Sequence, residues 1–158
     1  DKWEKICQQR PYVLLKVMEE HPNKNIVWLD ADAVVEKLPT DFLKIKKDIG
    51  ICYRGKELCS GTIFLKNNDV CRNIIDDWIK ENNKSSKVWD QVTLNKVINE
   101  KYKQNTHKLP GSYIGIFDKN GVISHWQFSR NITWKNSYEF DGKNKKNPGK
   151  NPSRYGDL

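Results

Sequence analysis

A short apolar run that ends on two acidic residues constrains the fold of this chain most strongly. Ile26-Val27-Trp28-Leu29 is uninterrupted by polar residues, and Asp30-Ala31-Asp32 follows it directly. Such a run is typical of a strand that is covered on both faces, as strands are in a parallel or mixed sheet. In sheets of this kind, ligands bind at the carboxyl ends of the strands. Asp30 and Asp32 are therefore predicted to lie where a ligand would bind.

Helical and strand patterns alternate along the rest of the chain, which predicts the α/β class. Apolar spacing predicts a helix at 11–21, a second helix capped by Asn67 or Asn68, and a third after Trp89-Asp90. Further strands are predicted at 49–53, 61–65, 113–117 and 122–125. The last two are joined by Asp118-Lys119-Asn120-Gly121, a sequence typical of a hairpin turn.

The composition changes near residue 135, where aliphatic residues become rare and Asn, Lys, Gly and Pro become frequent. We therefore predict one domain over residues 1–134 and a basic, flexible C-terminal tail over residues 135–158. The chain opens on Asp and its single Met is Met18, so we also expect that further residues precede this sequence.

Charge and cysteine content narrow the class of protein. Lys plus Arg (28) exceeds Asp plus Glu (20), and the net charge of +8 favours an anionic partner, although a lysine-rich solvated surface gives the same count. The absence of a CxxC pair argues against a zinc knuckle. The cysteines are expected to be reduced. We therefore expect the protein to be cytoplasmic, in the cytoplasm of the host if the source is viral. No apolar run reaches about 18 residues, so no transmembrane segment is predicted.

Two carboxylates one residue apart at the end of a buried strand need a physical explanation. In an extended backbone, residues i and i+2 point to the same side, so Asp30 and Asp32 would face one small volume. Two unpaired like charges there would repel each other and lose hydration. A divalent cation resolves the conflict, because Mg²⁺ or Mn²⁺ binds carboxylate oxygens together with substrate phosphates. The alternative is an ordinary loop in which one aspartate caps the following turn. His125, at the end of the last predicted strand, is a further candidate ligand.

Five short blocks follow one another over residues 9–130 in an order found in one family. They are Gln9-Arg10-Pro11, the run 26–33 with Asp30-Ala31-Asp32, the run 58–64 with Ser60-Gly61-Thr62, Trp89-Asp90-Gln91, and the run 123–130 with His125, Gln127 and Arg130. Through these blocks the chain resembles the GT-A-type nucleotide-diphospho-sugar transferases, which are glycosyltransferases with a DxD motif. It is most similar to small phage-like and bacterial members.

The resemblance implies a GT-A fold, which is a Rossmann-like, mixed and mostly parallel sheet flanked by helices. That fold normally begins with a strand, a helix and a second strand before a helix that starts with a basic residue and Pro. This chain starts at about that helix, so we expect the N-terminal strand, helix and strand either to precede this sequence or to be absent from a minimal version of the fold.

The resemblance also implies roles for the matching residues. Asp30, Asp32 and His125 would hold Mn²⁺ or Mg²⁺. The donor would be bound by Arg10, Asp30, Ser60, Gly61, Gln127 and Arg130. Asp90 would be the catalytic carboxylate, assisted by hydrogen bonds from Gln91. Asp90 could instead be an N-cap of the helix that follows it.

The function implied by the resemblance is metal-dependent transfer of a sugar from a nucleotide-diphosphate sugar to a hydroxyl of a glycan or another acceptor. UDP is the expected nucleotide, and retention of configuration is favoured over inversion. One alternative is a nucleic-acid-binding module on a transferase-like fold, and another is a transferase that acts on modified DNA bases. A metal-dependent phosphohydrolase would use the two aspartates but would leave the other blocks unexplained. The sequence does not indicate the donor sugar, the acceptor or the oligomeric state.

Overall fold

A four-stranded sheet with helices against one face forms the frame of the molecule. The computed structural model describes residues 2–116 and 118–126; Phe117, Gln127, Arg130 and the predicted tail at 135–158 lie outside the described residues. The helices are α1 (Lys2–Cys7), α2 (Arg10–Glu20), α3 (Asp69–Asn82) and α4 (Asp90–Val97). The strands are β1 (Ile26–Leu29), β2 (Ala33–Val35), β3 (Ile49–Arg54), β4 (Glu57–Leu65), β5 (Thr106–Lys108), β6 (Gly115–Ile116) and β7 (Ile123–His125). Short 3-10 or π-helical turns lie at Thr40–Lys44, Ile98–Tyr102, Lys103–Asn105 and Gly111–Tyr113.

The larger sheet has the strand order β1-β4-β3-β5. β4 is antiparallel to both of its neighbours, and β5 is parallel to β3. The α/β class and the mixed character of the sheet are confirmed, but the expectation of a mostly parallel sheet is wrong for the described residues. The reason is local: β3 and β4 are joined only by Gly55-Lys56, and so short a turn can join only antiparallel strands. Gly55 has a φ of 61°, which glycine adopts without steric cost.

The main core lies between this sheet and helices α2, α3 and α4. Its fully or almost fully buried members include Leu14, Met18, Ile51, Ile63, Cys71, Ile74, Ile75, Trp78 and Leu94. The α3 residues in that list recur at the helical spacing from which the sequence predicts this helix, and Ile79 of the same face is partly buried against them. Asn68 caps α3 by accepting the N–H of Cys71 at 3.0 Å, which decides between the two predicted caps.

A smaller sheet, with the order β2-β7-β6, contributes to a second core on the other face of β3 and β4. Cys52, Cys59 and Phe64 of the larger sheet pack there with Tyr113 and Ile123. All four cysteines of the chain are free thiols. Within residues 2–116 and 118–126, no helix combines the length and the apolar character needed to cross a membrane.

The predicted turn at 118–121 forms, but the strands beside it do not make a hairpin. Gly121 donates its N–H to the carbonyl of Asp118 at 3.3 Å, and Val122 donates its N–H to the carbonyl of Ser112 at 2.8 Å. The chain therefore returns to Ser112, which precedes β6, before β7 begins. As a result β7 is parallel to β6. Among the described residues, the strand expected at 113–117 is correspondingly reduced to Gly115–Ile116.

β1 has the predicted bounds, but it is not covered on both faces. Among the described residues it pairs with β4 alone, and Val27 is 40% exposed. An uninterrupted apolar run does not distinguish a central strand from an edge strand, because both pack one face against helices.

A three-residue bulge in β4 directs the chain toward the end of β1. Ile51 pairs with Ile63 and the next residue, Cys52, pairs with Cys59, so residues 60–62 have no partner in β3. On its other edge β4 stays in register, and Leu29 pairs with Thr62. Bulges of this kind often lie next to active sites, where they redirect side chains and free backbone groups.

Candidate functional site

The bulge at residues 60–62 connects three segments of the chain. The carbonyl of Ser60 accepts a hydrogen bond from Nη1 of Arg10 at 2.7 Å. The backbone N–H of Ser60 donates to Oε1 of Gln91 at 3.2 Å. The carbonyl of Gly61 accepts the N–H of Asp30 at 2.9 Å. The start of α2, the end of β1 and the start of α4 therefore meet at the bulge.

Asp30, Asp32 and His125 form a cluster at the end of β1. One potential ligand atom from each residue lies within 4.8 Å of the others. The two aspartates flank the turn between β1 and β2, and His125 comes from β7, where it pairs with Ala33. The N–H of Trp126 donates to the carbonyl of Asp32 at 3.1 Å, which holds the two segments together.

The imidazole of His125 is buried between Thr62 and Asp32. Its Nε2 lies 3.0 Å from Oγ1 of Thr62, and its Nδ1 lies 3.6 Å from Oδ1 of Asp32. Burial lowers the pKa of His125 below its ordinary value of 6.5, although the charges of Asp30 and Asp32 oppose this shift. The ring is therefore neutral at pH 7, which is the form that binds metal ions.

Asp30 is held by two side chains on one of its oxygens. Oδ1 accepts a hydrogen bond from the indole Nε1 of Trp28 at 2.9 Å and lies 3.2 Å from Nη2 of Arg10. The guanidinium of Arg10 also lies over the Trp28 ring, 5.2 Å from its centroid. These contacts are both made to Oδ1, and they restrict the direction of the carboxylate.

Asp90 is a buried carboxylate linked to the same arginine. Its Oδ2 lies 3.2 Å from Nε of Arg10, but the pair is not aligned as a hydrogen bond, and neither atom has a hydrogen-bond partner among the described residues. Burial raises the pKa of Asp90 to about 6, and the nearby charge of Asp30 adds to the shift while Arg10 opposes it. The N-cap alternative for Asp90 is wrong, because Trp89 is the N-cap of α4 and Asp90 is the first residue of the helix itself.

Gln91 connects the bulge to the end of the β3–β4 hairpin. In addition to the backbone of Ser60, its Oε1 accepts from the hydroxyl of Ser60 at 3.2 Å. Its Nε2 donates to Oε1 of Glu57 at 2.9 Å. The amide group of Gln91 is thus fixed at both ends beside Asp90.

A family model of nucleotide-diphospho-sugar transferases matches residues 1–148 of the chain. The chain belongs to the nucleotide-diphospho-sugar transferase family. No curated protein matches it. The cluster of Asp30, Asp32 and His125 fits a DxD-type site of such a transferase.

The structure brings together most of the residues that the sequence predicts for this transferase. Contacts through the bulge join eight of them: Arg10, Asp30, Asp32, Ser60, Gly61, Asp90, Gln91 and His125. The other two, Gln127 and Arg130, lie outside the described residues.

Sequence reasoning missed two side chains of the site. Thr62 belongs to the same block as Ser60 and Gly61, so its position in that block was an available signal. Trp28 lies in the apolar run of β1, and that run does not indicate that its indole N–H bonds Asp30. Both act on candidate ligands rather than as ligands themselves.

The donor set is compatible with a divalent metal. Two carboxylates suit hard cations such as Mg²⁺ and Mn²⁺, and one neutral imidazole favours a transition metal over Mg²⁺. The chemistry of the cluster therefore fits the metal that the family resemblance implies.

Gly61→Ala should weaken metal binding by displacing His125. A Cβ at position 61 would lie 2.9 Å from Cε1 and 3.1 Å from Nδ1 of His125, so the ring must move. We expect Mn²⁺ affinity, measured by calorimetry, to fall about tenfold, as for other changes that displace a ligand. Gly111→Ala is the control, because a Cβ there meets no atom within 4 Å. Equal affinity for the two variants would contradict the placement of His125.

The burial of Asp90 should appear in the pH dependence of stability. The pKa of about 6 in the folded chain exceeds the ordinary value of 3.8, so the folded state binds the Asp90 proton more tightly. This contribution is fully present below pH 3.8 and is lost as the pH rises through about 6. Relative to Asp90→Asn, the wild-type free energy of unfolding should rise by about 2 kcal/mol between pH 7 and pH 4. Urea titrations in EDTA measure this difference, and a pH-independent difference would refute the shift.

Proposed function

We propose that this chain transfers a sugar from a nucleotide-diphosphate sugar in a metal-dependent reaction, with Mn²⁺ or Mg²⁺ as the metal and UDP as the nucleotide. One observation carries the proposal: Asp30, Asp32 and His125 converge within 4.8 Å, and Arg10 links that cluster to the buried carboxylate of Asp90. Transfer from a sugar diphosphate needs positive charge, such as a metal ion, at the leaving diphosphate. It also needs a carboxylate near the reacting carbon of the sugar.

The metal side of the site is assigned to Asp30, Asp32 and His125. When bound, a divalent cation supplies positive charge to the diphosphate as negative charge develops on it. The three side chains present two carboxylates and one neutral imidazole, and the contacts of Trp28 and Arg10 keep Asp30 turned toward the cluster. The site is thus organised before a donor arrives, so little reorganisation is needed during the reaction.

The donor is assigned to the space beside Arg10 and the bulge. Arg10 would attract the diphosphate, and Ser60 and Gly61 would lie along the sugar. In support, Arg10 is held by Ser60, Asp30 and Asp90, so its charge has a fixed position. Gln127 and Arg130 are proposed as further donor contacts on the family resemblance alone.

Asp90 is assigned to the reacting carbon of the sugar, and Gln91 to a hydrogen bond that orients the sugar. With a pKa of about 6, Asp90 is ionised at neutral pH and can stabilise positive charge on the anomeric carbon. Asp90 is 2% exposed and lies against Arg10, which suits charge stabilisation better than removal of a proton from an incoming acceptor. On this ground we favour retention of configuration, since inversion requires a general base at the acceptor.

The acceptor is proposed to be a hydroxyl group of a glycan. The net charge of +8 makes a hydroxylated base of DNA the alternative acceptor. A module that only binds nucleic acid is a poorer fit to the site, because Asp30, Asp32 and Asp90 would repel phosphates in the absence of a cation.

Asp32→Ala should remove metal-dependent donor binding and leave the fold intact. Calorimetric titration of nucleotide diphosphates with and without Mn²⁺ should show one preferred nucleotide for the wild type. Asp32→Ala should weaken that binding by more than about tenfold, because a direct ligand is lost. The control is Asp76→Ala, which removes an exposed carboxylate from α3.

Two outcomes would contradict the proposed function. The first is that Asp32→Ala binds the nucleotide diphosphate with the same Mn²⁺-dependent affinity as the wild type, which would place the metal elsewhere. The other is salt-dependent binding of DNA by a chain that binds no nucleotide diphosphate, which would favour the nucleic-acid-binding module.

A further inference from the structure

Thr62 contacts His125 at the ring nitrogen opposite the two aspartates. Thr62 is fully buried and is the last residue of the β4 bulge. Its Oγ1 lies 3.0 Å from Nε2 of His125 and 2.8 Å from the carbonyl oxygen of Tyr113. One hydroxyl therefore stands between an imidazole nitrogen and a carbonyl group.

The chemistry of these groups fixes the direction of both hydrogen bonds. A hydroxyl has one hydrogen, and a carbonyl oxygen can only accept. The Thr62 hydroxyl must then donate to Tyr113 and accept from Nε2 of His125. The reverse arrangement would leave two oxygen lone pairs facing each other in a buried place. A neutral imidazole carries one hydrogen, so Nδ1 presents a lone pair.

The carbonyl group of Tyr113 is held in position. The N–H of Tyr113 donates to the carbonyl of Pro110 at 3.0 Å, and its phenolic oxygen accepts the N–H of Asp41 at 2.9 Å. The Tyr113 side chain is fully buried. Its carbonyl therefore has little freedom to turn away from Thr62.

The imidazole ring is also restricted on its other sides. Gly61 packs against the ring so closely that a Cβ would lie 2.9 Å from Cε1. Nδ1 lies 3.6 Å from Oδ1 of Asp32, which is too far for a hydrogen bond. A lone pair on Nδ1 that faces a carboxylate oxygen at this separation is suited to a cation shared by both atoms.

We propose that Thr62 is a positioning residue of the metal site. Its hydroxyl relays a hydrogen bond from His125 to the carbonyl of Tyr113, and this selects the His125 tautomer that presents Nδ1 toward Asp32. The proposal rests on the proposed function only for the identity of the metal. The tautomer itself is a property of the metal-free chain and can be measured without donor or acceptor.

The first experiment determines the tautomer in the wild-type chain. The chain is labelled with ¹⁵N-histidine and kept in EDTA at about pH 8, where the rings are neutral. Long-range ¹H–¹⁵N NMR then distinguishes the two neutral tautomers of each ring. The chain has three histidines, and His125→Asn identifies the His125 signals, with His21 and His107 as internal references. We expect the hydrogen of His125 on Nε2. A hydrogen on Nδ1 would overturn the proposal, whatever the variants show.

The second experiment separates the hydroxyl from the packing of Thr62. Thr62→Val keeps the shape of the side chain and removes the hydroxyl, whereas Thr62→Ser keeps the hydroxyl. For Thr62→Val we expect a mixture of His125 tautomers and Mn²⁺ affinity about tenfold weaker, measured by electron paramagnetic resonance of the free ion. Thr62→Ser should restore both properties.

Three results would decide against a role for Thr62. Wild-type tautomer and affinity in Thr62→Val would show that the hydroxyl is not needed, and a Thr62→Ser variant as weak as Thr62→Val would assign the effect to packing. If Thr62→Val does not fold, the proposal is tested by the tautomer of the wild type and by the tautomer and Mn²⁺ affinity of Thr62→Ser. A wild-type chain with the expected tautomer and Mn²⁺ affinity but no nucleotide binding would overturn the proposed function and leave the role of Thr62 intact.

Discussion

The guanidinium of Arg10 is the group on which the rest of the site depends. It bonds the carbonyl of Ser60 and lies 3.2 Å from carboxylate oxygens of both Asp30 and Asp90, with only 9% of its surface exposed. Its partners come from the bulge of β4, the end of β1 and the start of α4. The planar fork of an arginine can serve three such partners at once, whereas a lysine offers a single charged point. The position of each partner is therefore coupled to the position of the others.

The charges around Arg10 make the site compatible with a divalent cation. Asp30 and Asp90 both lie against the buried Arg10, Asp32 lies beside His125, and burial lowers the pKa of His125 so that the ring is neutral. Two of the three carboxylates thus share one arginine as their ion-pair partner among the described residues. Burial alone would favour protonation of Asp90, and its raised pKa reflects that tendency. A bound divalent ion would balance the charge and leave Asp90 ionised for the chemistry of a sugar transferase.

Local patterns in the sequence predicted the parts of the fold that local interactions determine. The bounds of β1, the cap at Asn68 and the apolar face of α3 follow from residues close in the chain. Pairing between distant strands was predicted less well. In the part of the chain that the structure describes, the sheet is not mostly parallel, β1 is an edge strand, and the strands around the turn at 118–121 run in the same direction. Such pairings depend on contacts between residues far apart, which periodicity does not report.

The candidate site shows the same division. The residues that carry its chemistry stood out by type and by order along the chain. Thr62, which orients His125, did not stand out, because its partners are distant in sequence: it contacts Tyr113 and His125 from 51 and 63 residues away. These contacts depend on the three-residue bulge in β4. The pattern of apolar residues in β4 does not indicate that bulge.

The central claim is that Asp30, Asp32 and His125 form one metal site next to the bulge. Anomalous diffraction from a crystal of the chain grown with Mn²⁺ tests it most directly. The account predicts a manganese peak in contact with a carboxylate oxygen of Asp32 and with Nδ1 of His125. A manganese peak elsewhere, with none between these two side chains, would contradict the account.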